Sequence, residues 1–172
     1  MSDIRKATRS DAKRLSQTAG EVFRATFGAA NTAEDMDLHC EKSFSESRQA
    51  SEISDPTMLT LVSENGGKIV GFAQLRWGHA PSCVSAKCPA EIYRLYVADE
   101  WHGKGIAQEL MNACMEEMKR TGSDIGWLGV WERNPRAISF YKKCGFAEVG
   151  AHVFQLGADL QRDIVMVRSV LD

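Results

Sequence analysis

Residues 90–120 constrain this chain more than any other stretch, because the run AEIYRLYV leads almost directly into HGKG and from there into a helical repeat. The first run is β-branched, aromatic and aliphatic, the composition of a largely buried strand. Behind the glycines, Ile106, Leu110, Cys114 and Met118 recur at helical spacing, with Ala107, Met111 and Met115 beside them. GIAQELMNACMEEMKRTG is therefore an amphipathic helix that stops near Gly122, and its methionines read as core filler. A strand that passes through a glycine loop into such a helix belongs in an α/β layer structure.

The flanking segments extend that pattern. Ile4–Thr8 reads as a short edge strand, and Ser10 or Asp11 can cap a following helix that carries Leu15, Val22, Phe23 and Phe27 and ends at Gly28. Asn31–Ser54 is compatible with a second helix, and its acidic run Glu34, Asp35, Asp37 and Glu41 reads as a solvated face. TMLTLVSENGGKIVGFAQLRW is a hairpin, since Asn-Gly and Gly-Gly tolerate the positive φ of a tight turn. IGWLGVWE is a strand, and NPRAISFYKKCG is a helix with Asn134 as cap, Pro135 in its first turn and Gly145 beyond its last. FAEVGAHVFQL and RDIVMVRSVL close the chain as strands separated by Gly157–Gln161. The order predicts an α/β fold, a mixed and mostly antiparallel central sheet of about seven strands flanked by about four helices. The 172 residues suffice for one domain with a sizeable core.

Composition narrows the function classes. A net charge of −2 supplies no long-range pull toward nucleic acid or an anionic membrane, so any anion site must be built locally. No run approaches the ~20 apolar residues of a membrane span and the start has no signal-peptide core, so the expected location is the cytoplasm. Five cysteines, an odd number without a CxxC pair, read as free thiols rather than a disulfide framework. His79, Cys83 and Cys88 share a loop, but their spacing fits no zinc pattern and no fourth ligand stands out, so no metal is expected.

The HGKG junction can hold a phosphate. The first-turn amides of a helix lack intrahelical acceptors and carry the positive end of its dipole; Gly103 and Gly105 admit a ligand close to the backbone, and Lys104 adds a mobile charge. The Walker pattern GxxxxGK[ST] is absent, and the dinucleotide pattern GxGxxG fails at Gln108. The stretch His102-Gly103-Lys104-Gly105-Ile106-Ala107 resembles the coenzyme A pyrophosphate loop of the GNAT N-acetyltransferases, Arg/Gln-x-x-Gly-x-Gly/Ala, in every place but the first, where His102 stands. NPRAISFYKKCGF resembles the second signature of that family, an Asn at the end of the next strand and a helix carrying Tyr before a Gly-Phe turn. In element order the resemblance covers about Met58–Leu171, and HVFQLGADLQRDIVMVR resembles the PaiA-like, polyamine-acetylating branch.

The resemblance implies the acyl-CoA N-acyltransferase fold, acetyl-CoA as cosubstrate and a small primary amine, such as a polyamine, as acceptor. It also implies a residue for each chemical need. The backbone of Leu95, Tyr96 and Val97 would meet the acetyl and pantetheine groups where this strand parts from its neighbour. His102 through Ala107 and Asn134 would hold the rest of the cofactor, and Tyr141 would protonate the departing thiolate. Freeing a lysine-like amine of its proton at neutral pH costs roughly 4.6 kcal/mol. Glu91, at the start of AEIYRLYV, is the first candidate base, its side chain placed by alternation on the face of Tyr93, Leu95 and Val97; Glu132 is the second. Cys144 reads as an apolar filler, and His102 and His152 are given no catalytic part. A non-catalytic acyl-CoA-binding module, and a transferase for a peptide or aminoglycoside amine, are the competing readings. The open edges of such a sheet leave a homodimer open.

Overall fold

The computed structural model describes residues 2–171. In chain order the elements are β1 (Asp3–Lys6), α1 (Ala12–Phe27), α2 (Ala33–Phe44), α3 (Glu46–Ser54), β2 (Met58–Asn65), β3 (Lys68–Trp77), β4 (Pro89–Val97), α4 (Ile106–Arg120), β5 (Ile125–Trp131), α5 (Pro135–Lys143), β6 (Ala147–Leu156) and β7 (Asp159–Ser169). They form one seven-stranded sheet in the order β1-β2-β3-β4-β5-β7-β6. Every neighbouring pair is antiparallel except β4 and β5, which α4 joins as a crossover. The mixed, mostly antiparallel sheet expected from the element order is the one observed.

Each face of the sheet carries its own core. On one face, Ile106, Leu110, Met111, Cys114 and Met118 of α4 pack against Val70, Ala73, Leu75, Ile92 and Leu128, as the helical repeat predicts. Gly71 permits this approach: a Cβ there would lie 3.1 Å from the Tyr96 carbonyl and 3.3 Å from Ile106 and Leu110. On the other face, Leu15, Ala19, Phe23, Phe27, Met36 and Phe44 of α1 and α2 cover Val62, Ile69 and Phe72. The β2–β3 hairpin turns at Gly66 and Gly67, with φ of 56° and 77°, the left-handed pair that a two-residue hairpin loop demands.

Four details differ from the sequence reading. Asn31–Ser54 is two helices, because Ser45 leaves the helical conformation and caps α3, its hydroxyl accepting from the Arg48 amide. Gly28 ends α1 as the sequence reading has it, with φ of −61°, but leads directly into a short 3-10 turn over Gly28–Ala30 that the reading does not include. The last two strands are joined at Gly157-Ala158 alone, since Asp159–Gln161 already pair across the hairpin. The fourth correction concerns β4, where Gln74 pairs with Arg94 but Leu75 pairs with Ile92, leaving Tyr93 as the extra residue of a bulge. The bulge resets the alternation, so Leu95 and Val97 pack with the α4 core while Glu91 meets Arg76 and the Tyr93 ring lies under the Arg76 guanidinium. Glu91 therefore does not share a face with Leu95 and Val97.

Candidate active site

The parallel pair that α4 connects is incomplete. β4 and β5 hold register only from Pro89 to Glu91 against Ile125 to Trp127, and past Glu91 the two strands diverge. The gap is a cleft of about 480 Å³ lined by Leu95, Tyr96 and Val97 on one side and Gly129, Val130 and Trp131 on the other. β4 backbone groups that would have bonded β5 are free there to pair with an amide-bearing ligand. The same cleft reaches His102, Gly103, Gly105, Ile106 and Ala107, then Asn134 and Tyr141 of the α5 segment, so the structure gathers most of the predicted residues in one place.

At the loop, Gly103 and Gly105 have φ of 75° and 84°, a conformation that side-chain-bearing residues rarely adopt, and Gly105 caps α4. A Cβ at either glycine would meet no atom within 4 Å, so backbone conformation, not crowding, demands glycine. Gly103, Gly105, Ile106 and Ala107 line the cleft, so the start of α4, whose first amides lack intrahelical acceptors, borders it, an arrangement suited to phosphate oxygens. The His102 ring nitrogen Nε2 lies 2.7 Å from the Val97 carbonyl, which fixes the end of β4 to the loop. Lys104 sits 4.5 Å above the Trp101 ring, outside the residues that line the cleft.

Asn134 caps α5, its Oδ1 accepting from the Ala137 amide at 3.2 Å, and this leaves the Nδ2 donors directed elsewhere. Tyr141 is buried at the cleft wall beside Phe146 and Phe140. Burial, and next the neighbouring Tyr96, push its phenol well above the ordinary value of 10. Burial likewise pushes Tyr96 up to about 12. Cys144 donates to the Gln108 side chain at 3.6 Å and burial raises its thiol, so it is held as a neutral filler, not as a nucleophile.

The two candidate bases differ. Glu91 is 5% exposed, is bonded through both carboxylate oxygens by Arg76, and has His79 Nε2 at 3.4 Å; it stands behind the cleft wall and is not among the lining residues. Glu132 is exposed and paired with Arg162 at 3.0 Å. Two features were missed in the sequence. Arg94 lines the cleft from a buried network, bonded to Glu52 at 3.0 and 3.1 Å and to Gln74 at 2.5 Å. Asp163 of β7 lines the cleft beside His152 of β6. Its signal was present in DIVMV, where alternation puts an aspartate on the face of Val165, a fully buried residue.

Splayed parallel strands that run into a glycine-capped helix define an acyl-CoA-dependent acyltransferase fold. Comparison with known proteins agrees: residues 20–146 match the model of the acetyltransferase (GNAT) family. The chain is 32% identical over 161 residues to an uncharacterised N-acetyltransferase of Mycobacterium bovis, covering 94% of this chain and 99% of that one. It is 27% identical over 148 residues to spermidine N(1)-acetyltransferase of Thermoplasma acidophilum, with 84% and 87% covered. Among solved structures, the PaiA N-acetyltransferase of Thermoplasma acidophilum in complex with coenzyme A superposes with a TM-score of 0.79 at 24% identity, covering 98% of this chain and 99% of that one. The chain belongs to the GNAT acetyltransferase family and is an N-acetyltransferase.

Proposed function

We propose that the protein moves the acetyl group of acetyl-CoA by direct attack of a small primary amine, with polyamines as the leading acceptor class. The observation that carries the reading is the parting of β4 from β5 next to a glycine-capped α4, with Tyr141 in the same cleft. The likeness to the Thermoplasma spermidine acetyltransferase supports a polyamine.

Bound acetyl-CoA supplies an acyl group on a good leaving thiol. Around it, the amides from Gly103 to Ala107 receive the pyrophosphate, with Lys104 as a nearby positive charge, and Asn134 donates from its free amide nitrogen. The β4 backbone along Leu95, Tyr96 and Val97, apart from the Val97 carbonyl that His102 holds, pairs with the pantetheine arm, and one amide polarises the thioester oxygen. His102 acts through its bond to Val97, keeping the strand end and the loop in register. Glu91 takes the ammonium proton through intervening water, because Arg76 and His79 enclose its carboxylate behind the cleft wall. The amine lone pair then forms the C–N bond as the C–S bond breaks, Tyr141 gives its phenolic proton to the thiolate, and the remaining extra proton on the new amide nitrogen leaves through cleft water to restore the phenol.

Thiol release from acetyl-CoA, followed with spermidine, lysine-like amines, N-terminal peptides and aminoglycosides, tests the reading. Release should require an amine and should fall in Tyr141→Phe and Glu91→Gln. Binding of CoA with no thiol release for any acceptor would instead make the protein a non-catalytic acyl-CoA-binding module.

A further inference from the structure

Asp163 is the one carboxylate among the described residues that line the cleft. It pairs in register with Trp131 of β5 on one side and His152 of β6 on the other, and it is 8% exposed. Its Oδ2 lies 3.7 Å from His152 Nε2, whereas Oδ1 is buried without a hydrogen-bond partner. Of the two arginines among the described residues that line the cleft, Arg94 is already bonded to Glu52 and Gln74, and neither it nor Arg136 bonds the Asp163 carboxylate.

The opposing strand leaves room for this pair. A Cβ on Gly129 would come within 3.0 Å of His152 Nε2 and 3.1 Å of Asp163 Oδ2. Gly129 stands on β5 two residues past Trp127, the last residue in register with β4, so the opening lies where the strands have separated. A buried carboxylate oxygen with no donor is costly, and a neutral hydroxyl would satisfy its hydrogen bond without its charge. The group that answers both requirements is a cation with N–H donors.

We infer that the cleft-facing carboxylate of Asp163, held in place by His152 at Oδ2, receives a second, non-reacting ammonium group of the acceptor amine and thereby selects polycationic acceptors. The inference rests on the transferase reading above and adds the residue that chooses its acceptor. Tyr141 and the α4 loop serve the donor; Asp163, His152 and Gly129 serve the amine.

Steady-state kinetics on the full chain test it. Asp163→Asn, which keeps the side-chain shape, should raise the KM for spermidine at least about tenfold, the worth of a hydrogen bond to a charged group. Its KM for acetyl-CoA should stay within about twofold, since the cradle lies elsewhere. An alkoxyamine, uncharged near neutral pH, should bind wild type and Asp163→Asn alike, a control that also reveals any loss of folding. A second readout is the His152 ring resonance of the CoA-bound protein, which should move when spermidine is added. An unchanged spermidine KM in Asp163→Asn, with wild type active, overturns the inference and leaves the transferase standing. If wild type releases no thiol with any amine, the transferase reading fails, and a still His152 resonance then removes the anchor as well.

Discussion

Burial is what suits Tyr141 to its proposed part. Loss of water makes the phenol a weaker acid than a free one, but the same dry surroundings raise the proton affinity of a thiolate formed beside it, so donor and acceptor stay matched. Tyr141→Phe should therefore lower kcat about 100-fold while the KM for acetyl-CoA stays nearly constant, as measured by thiol release at saturating acceptor. His39 makes a prediction about stability. It stacks on Phe23 with ring centroids 4.2 Å apart, and burial first, then Arg94, lowers its pKa from 6.5 to about 4. The native imidazole is neutral where the unfolded one gains a proton, so this contribution is complete above about pH 6.5 and is lost as pH falls toward about 4. Urea unfolding should show that loss in wild type and a shallower one in His39→Phe. At this scale, residue type was easier to read than direction. Glu91 was misplaced because nothing in AEIYRLYV marks Tyr93 as a bulge, and counting by twos through it assigns the wrong face. Asp163 was passed over because its importance depends on strands adjacent only in the fold.

Among the elements, the junction at Gly105 holds the strongest local constraint. A φ of 84° is open to glycine and strained by roughly 1–2 kcal/mol for other residues, more for a β-branched one. Gly105→Val should weaken CoA binding at least tenfold by calorimetry, in line with about that strain or a displaced first turn of α4. Elements with chemical punctuation were legible in advance: the Gly66-Gly67 hairpin, the Asn134-Pro135 start of α5 and the apolar stripe of α4 all recur in the structure. The break between α2 and α3 was not. Ser45 performs it with a hydroxyl that accepts from the Arg48 amide, in a run without glycine or proline, where serine inside a helix looks the same in sequence. The parting of β4 from β5 was anticipated from family resemblance, while its starting point, after Glu91, came only from the register.

For the molecule as a whole, a net charge of −2 leaves ligand choice to local fields. The sheet provides two. Above α4 the free amides and the helix dipole favour an anion, and at β7 a buried carboxylate favours a cation, with the strand gap between them. A cationic acceptor and an anionic donor are thus brought to one opening. The fold class was legible from element order alone, whereas the pairing of opposite charges across the gap needed the assembled sheet. The acetylated amine is the direct trace of the transfer. After incubation with acetyl-CoA and spermidine, mass spectrometry of the small-molecule fraction should find spermidine carrying one acetyl group, in amounts that match the free thiol formed. Unmodified amine across the whole acceptor panel, from protein shown to bind CoA, would contradict it.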